Sequence, residues 1–498
     1  MWAHYHSNHL RIFIICVIIL CYSQGVSYAQ NNDIRARYEE FKQQSQKRYS
    51  DFRDKANKDY VEFMKEGWKW FKGEGPLPIS AFNVPQIPPI VFDDIEIEIE
   101  DNLIIIDDFE ELVDDLPIPA PIIPIIEQPK QEDVSHEVLF FGTRCSYRFP
   151  ANANLLLKST KEEDVASYWS ELSSDKYLNF TYDCEKLRDL LNLCDWAYVL
   201  IVKEIAKSLF PFNTSEQSIV QAYVLTQSGF RIHLARDNDG VIHYLAATSS
   251  DIYGYNRWKV GTDYYYLFED NDINELYIFT SSFPEDKPIR MDYRESMTLA
   301  KLESPGRTVK SQRYPNASVT YKVNKNQIEF FNAYPMCYTN NDGRTKWRFY
   351  AQVPMDETVK APLYSTFRRL ISGKTQLEAT EIILNWIQTG FEYEYDDVVW
   401  GRDRPFFSEE SLYYPYCDCE DRAILFSRMI RDLLRLDVAL IYYPGHLAAA
   451  VNFIDSVKGD YILFKGKKYV ICDPTYIGAP VGLTMPDMDN STAFVIEL

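Results

Sequence analysis

From Arg37 the chain falls into three consecutive elevens, RYEEFKQQSQK, RYSDFRDKANK and DYVEFMKEGWK, followed by Trp70-Phe71. Aromatic residues recur at Tyr38, Tyr49, Tyr60 and Phe71, and again at Phe41, Phe52 and Phe63. Eleven residues over three turns is about 3.67 per turn, so the pattern predicts one long helix over 30–73 with a nearly straight aromatic stripe. The stripe needs a partner surface, on the protein's own domains, on another protein or on a second copy.

Between 74 and 133 the pattern changes. Prolines at 76, 78, 85, 88, 89, 117, 119, 121, 124 and 129 surround DDIEIEIEDNLIIIDDFEELVDD. Proline at that density blocks regular helix and favours extended chain, which predicts a linker or a strap lying along a domain. Ile95, Ile97 and Ile99 alternate as in a strand with one buried face, suited to joining a sheet edge.

A mixed α+β domain is expected over 134–272, with helical patterns near 161–173, 184–209 and 215–228. The strands IHLAR and VIHYLAA follow, joined by the hairpin residues Asp237-Asn238-Asp239-Gly240. Over 273–358, ELYIFTSSF, SVTYKV, QIEFFNAY and KWRFYAQV are aromatic and β-branched runs that predict a β-rich segment. The last domain, 359–498, opens on a helix. Thr375-Gln376-Leu377-Glu378 is a capping-box pattern ahead of Ile382, Ile383, Trp386 and Ile387, and the helix should end near Gly390. A second helix starts near 418 or 419, with Ala423, Phe426, Met429, Ile430, Leu433 and Leu434 on its apolar side.

Composition narrows the function. A chain of 498 residues, 46% hydrophobic, has room for roughly three domains. Its net charge of −21, from 73 acidic against 52 basic residues with no basic cluster, excludes nucleic acid as a natural partner. Arg11, the apolar run Ile12 to Leu20 and Ser27-Tyr28-Ala29 have the layout of a signal peptide over 1–29, and the run is shorter than the ~20 residues that span a bilayer. The expectation is a secreted or periplasmic protein without stable membrane insertion. Without Cys16 and Cys21, seven cysteines remain, an odd number that cannot all pair within the chain.

The chemistry concentrates in YYPYCDCEDRAILFSRM, residues 413–429. Asp418 can cap the helix with Asp421 three positions on, which places Cys419 in the first turn, where free N–H groups and the helix dipole favour a thiolate. Asp418, Glu420 and Asp421 oppose this, because nearby carboxylates raise a thiol's pKa, so a cationic partner is wanted. His446 starts an apolar strand pattern, and Asp473 ends the next one, YVICDPT. Thiol, imidazole and an orienting acid are what nucleophilic thiol catalysis needs. Twenty-seven residues separate Cys419 from His446, and 27 separate His446 from Asp473.

At these residues the chain resembles the transglutaminase-like superfamily, a branch of the papain-like cysteine enzymes. The signature Cys-x-Asp-x-Ala stands as Cys419-Glu420-Asp421-Arg422-Ala423, the histidine as His446, and Asp-Pro-Thr as Asp473-Pro474-Thr475. The helix at 377–389 with Tyr393 and Tyr395 also looks like the segment that precedes the cysteine in the family. The chain departs at Ala448, where many members carry an aromatic residue. The resemblance implies an antiparallel sheet bearing His and Asp, packed on the Cys helix. It implies Cys419 as nucleophile, His446 as base and then acid, Asp473 holding the imidazole, and Asp421 pinning the helix start. It implies acyl transfer or hydrolysis at a carboxamide or peptide bond of a protein or peptide substrate, without cofactor or metal.

Rival readings remain. Cys417, Cys419, His446 and Cys472 could form a Cys₃His zinc site, though one residue between the first two is a tight spacing. Cys417 could instead bond Cys472. The fold could be a silent scaffold in which the 37–71 helix and the strap engage a protein partner. Finally, His243-Tyr244-Leu245-Ala246-Ala247 lies beside a helical pattern, as His446-Leu447-Ala448-Ala449-Ala450 does. With no cysteine near 212–218, this is either a non-catalytic duplicate or a chance likeness.

Overall fold

The computed structural model describes residues 37–78, 89–91, 97–110, 132–269, 273–339 and 342–498, except positions 38, 39, 42, 45, 46 and 49. The expected leader at 1–29 and the strand position Ile95 lie outside these residues. The fold is mixed α+β, and none of its described helices is long and apolar enough to cross a membrane.

The N-terminal helix ends at residue 64, short of the expected 73. Gly67, with φ of +85°, turns the chain, and Trp70 and Phe71 enter a strand, Lys69–Lys72, paired antiparallel with Glu275–Ile278. The helix lies on the middle domain through one row only. Tyr60 packs edge-on to Phe279 at 4.9 Å and tilted on Trp169 at 5.1 Å, while Asn57 Nδ2 donates to Gln227 at 3.0 Å and Trp169 Nε1 donates to Asn57 at 3.2 Å. Phe41, Phe52 and Phe63 stay exposed.

The pattern expected as one helix over 184–209 is two, Leu178–Leu190 and Asp195–Leu209, broken where Asn192 takes a positive φ of 49°. Two runs expected as strands are helices, Lys325–Asn332 and Lys346–Gln352. Capping decides the first, since the Asn324 side chain accepts from the Asn326 N–H at 3.2 Å and the turn buries Ile328, Phe330 and Phe331. The second follows a turn in which Asp342 accepts from the Arg344 N–H, and it buries Trp347, Phe349 and Tyr350. Aromatic side chains satisfy a buried helix face as readily as a strand, so β-propensity yields to packing.

Two main sheets carry the chain. In the C-terminal half, helix α1 (Gln376–Gly390) and helix α2 (Cys419–Leu434) precede strands β1 (Asp437–Tyr443), β2 (His446–Asn452), β3 (Asp460–Phe464), β4 (Lys467–Cys472) and β5 (Phe494–Glu497). The order across the sheet is β3-β4-β2-β1-β5, all antiparallel. Alternation sorts its two faces. Val438, Leu440, Leu447, Ala449, Val451, Val470 and Cys472 join the core of α2, whereas Ala439, Ile441, Ala448, Ala450 and Ile471 form a separate core on the other side.

That second core is enclosed because the sheet curls. The strap adds Asn102–Ile104 parallel to β3 at one edge and Asp108–Phe109 parallel to β5 at the other, and residues 105–107 alone link the two. The edges therefore approach each other, with Phe109 against Phe464 at 5.8 Å and Lys465 Nζ on Glu497 at 2.6 Å. The strap's strand begins at Asn102, beyond the expected alternation at 95–99, and Ile97 and Ile99 lie outside any strand.

The middle half repeats the arrangement. Ile232–Arg236, Ile242–Ala247, Arg257–Val260, Asp263–Tyr266 and Glu275–Ile278, numbered in chain order, also stand 3-4-2-1-5 across their sheet, all antiparallel. Of the preceding helices, Asp195–Leu209 packs on Thr214–Gln227, and the latter packs on the hairpin Ile232–Ala247, as α1 packs on α2 and α2 on β2. His243 and His446 stand near the start of the second strand in each.

Candidate active site

Cys419 is the first residue of α2, and its N-cap is Asp418. Asp421 fixes the entry to the helix, since its carboxylate accepts from the Phe406 N–H at 2.8 Å and the Asp418 N–H at 3.3 Å. The amphipathic pattern after it buries Ala423, Phe426, Met429 and Ile430, which seats the helix on β2. The Leu447 N–H, one residue past His446, lies close enough to the Cys419 thiol to lower its pKa a little. Cys419 and His446 thus both stand where the start of α2 packs on β2.

His446 and Asp473 are joined directly, Nε2 to Oδ2 at 2.8 Å, both nearly fully buried. The other oxygen of Asp473 accepts from the Thr475 N–H at 2.9 Å and the Tyr476 N–H at 3.2 Å, so the Asp-Pro-Thr turn holds its own carboxylate. The Tyr443 ring stacks on the imidazole at 6.5 Å. With Nε2 engaged by the acid, Nδ1 is the nitrogen left to accept a proton.

The thiol itself turns another way. Cys419 Sγ donates to Glu420 Oε2 at 3.2 Å and makes no hydrogen bond to His446. Burial, then the carboxylates of Glu420 and Asp418, push the thiol well above its ordinary pKa, against a smaller lowering by the Leu447 N–H. Behind the sulfur, Asp396, Asp403, Asp418, Glu420 and Asp421 crowd together, with Lys346 paired to Asp403. Burial and the Glu420 charge raise Asp396 to about 8, while burial raises Asp403 to about 6 despite Lys346. Carboxylate oxygens of Asp396, Asp403 and Glu420 lie within 4.8 Å of one another, as do those of Asp396, Asp418 and Asp421, and sets of this kind suit a hard cation.

All seven described cysteines are free thiols, so Cys417 and Cys472 are not bonded to each other. Cys417 directs its thiol at the Glu392 carbonyl at 4.0 Å, at the long end for sulfur, and Cys472 donates to the Val470 carbonyl at 3.6 Å. No three of Cys417, Cys419, His446 and Cys472 bring their donor atoms within 4.8 Å of one another, so the geometry gives the zinc reading no support.

Two residues emerge that the spacing argument did not single out. Gln388 on α1 reaches the loop after Asp473, and Arg422 on α2 reaches the backbone of α1. Each is a polar side chain on the inward side of an apolar helix, and that is the trace they leave in the sequence. The middle half offers a contrast. His243 Nε2 meets Asp237 at 3.0 Å and its Nδ1 meets Glu269 at 3.1 Å, so neither nitrogen is open. Ser215, early in the matching helix, accepts from the Ile242 N–H at 3.0 Å. Compared with protein-family profiles, with curated proteins and with solved structures, the chain matches none.

Proposed function

We propose that the chain is an exported cysteine enzyme of transglutaminase-like type, acting by acyl transfer or hydrolysis at a carboxamide or peptide bond. The observation that carries the reading is the buried His446–Asp473 pair, 2.8 Å apart, set beside a cysteine at a helix N-terminus. The helix-on-antiparallel-sheet arrangement, with Cys on the helix and His and Asp at adjoining strand ends, supports a papain-like core.

In this mechanism the thiol proton passes from Cys419 to Nδ1 of His446. The thiolate adds to the carbonyl carbon, the C–N bond breaks, and His446 returns the proton to the leaving amine. Water or an amine then attacks the thioester, gives its proton to His446, and releases Cys419. Asp473 holds the ring through Nε2, and the Cys419 backbone N–H, unpaired in the first helical turn, is the natural donor to the oxyanion.

One observation favours a silent scaffold instead: the Cys419 thiol is buried and bonded to Glu420 rather than to His446. Alkylation by iodoacetamide across pH 5–9, resolved by peptide mass spectrometry, separates the two. An enzyme shows Cys419 alkylating faster below pH ~8.5 than Cys417 or Cys472, an advantage lost in His446→Ala. Equal, slow reaction of all three in the wild type would sink the catalytic reading.

A further inference from the structure

We propose that Gln388 is the positioning residue of this site, fixing the loop that carries Asp473 and the helix that carries Cys419 to one point. The inference rests on the triad reading above and concerns how that triad is held.

Gln388 is the third residue from the end of α1 and is 1% exposed. Its Nε2 lies 3.0 Å from the Asp473 carbonyl, 2.8 Å from that of Tyr476 and 3.1 Å from that of Ala479. An amide nitrogen has two hydrogens, so three carbonyls share them, and the loop wraps around the side chain to do so. On its main-chain side, the Gln388 carbonyl accepts from Arg422 Nη1 at 3.2 Å, and Nη2 of the same guanidinium donates to the Phe391 carbonyl at 2.9 Å. Arg422 stands three residues after Cys419 on α2. One residue therefore ties the nucleophile's helix, through its backbone, to the acid's loop, through its side chain.

Packing does not explain the choice of residue. Gln388 Oε1 is buried without a hydrogen-bond partner, a cost that Met or Leu of similar volume would avoid. The two N–H donors are what the site retains. In the middle half, the third residue from the end of the matching helix is Lys207, exposed and paired with Glu204. The helix that matches α2 there, Thr214–Gln227, has no cysteine at its start, and both nitrogens of His243 are closed by acids, so the converging amide stands in the half that sets a cysteine beside a histidine with one open nitrogen.

The test is Gln388→Met, which keeps the volume and removes both donors, alone and combined with Asp473→Asn. Cys419 alkylation by iodoacetamide is followed from pH 5 to 9, with Cys417 and Cys472 as references in the same digests. The expected result is a fall of about 10²-fold in the Cys419 rate near pH 6, as for a displaced catalytic group. The reference cysteines stay unchanged, and Gln388→Met adds no further loss in the Asp473→Asn chain. A wild-type profile in Gln388→Met, or an equal additional loss in Asp473→Asn, overturns the proposal. If Gln388→Met fails to fold, Gln388→Asn, which keeps the amide but withdraws it by one methylene, carries the same test with a smaller expected loss. A wild-type Cys419 that gains nothing from His446 sinks the triad itself, a result distinct from a working triad indifferent to Gln388.

Discussion

Glu420 stands against the thiol that the proposed chemistry needs. Its carboxylate accepts the Cys419 S–H at 3.2 Å and raises the thiol's pKa, second only to burial. Replacing it with Gln removes the charge and leaves the burial, so in Glu420→Gln the alkylation midpoint of Cys419 moves to lower pH. The rate at pH 7 should rise by roughly three- to tenfold, measured against Cys417 in the same sample. A midpoint that stays would show that the Glu420 charge does not act on the thiol, and one that rises would show that Glu420 helps to form the thiolate. Cys419, His446 and Asp473 were legible in the sequence because each occupies a landmark of its own element: a helix start, a strand start, a strand end. Gln388 was not, because its partners lie 85 to 91 residues away and no local pattern announces them.

At the scale of elements, the N-terminal helix separates two aromatic rows that the sequence presents as equals. Tyr60 is 2% exposed among Trp169, Phe279 and Phe283, whereas Phe63 is 47% exposed. Tyr60→Ala should cost about 3 kcal/mol or more through the cavity it leaves, and Phe63→Ala less than about 0.5 kcal/mol, in denaturant unfolding of the whole chain. Equal effects would mean that the helix docks differently. Eleven-residue periodicity gave the helix but not which row faces the protein, since both rows satisfy the same arithmetic. The runs at 325–332 and 346–352 read as strands for a related reason, although both are helices. Their aromatic content suits either element, and the deciding contact for the first, the Asn324 cap, is a single hydrogen bond.

For the molecule as a whole, the buried carboxylates set how stability varies with pH. Asp396 and Asp403 titrate near 8 and 6 in the folded chain, well above the ~3.9 of an unfolded aspartate. Between those values the folded state holds protons that the unfolded state has released, so their contribution to stability is full below about pH 4 and is lost as pH rises through 6 and then 8. Thermal unfolding should therefore occur a few degrees lower at pH 8.5 than at pH 5.5, and Asp396→Asn should flatten the upper part of that slope. A midpoint that climbs between pH 5.5 and 8.5 would contradict it. The matching order of the two sheets was barely visible in the residues, where only a histidine and a few small apolar positions correspond. Strand order is a long-range property that side-chain alternation does not encode.

The strap has a consequence for how the chain is made. Asn102 pairs with Asp460, 358 residues later, and the Asn102–Ile104 strand has no place to go until that edge exists. At synthesis rates of about 5 to 20 residues per second, its Leu103 and Ile104 wait roughly 20 to 70 s for their partner. The acidic residues on either side, Glu98, Glu100 and Asp101 before and Asp107 and Asp108 after, set like charge beside that unpaired strand, which disfavours its pairing with a neighbour's during that interval.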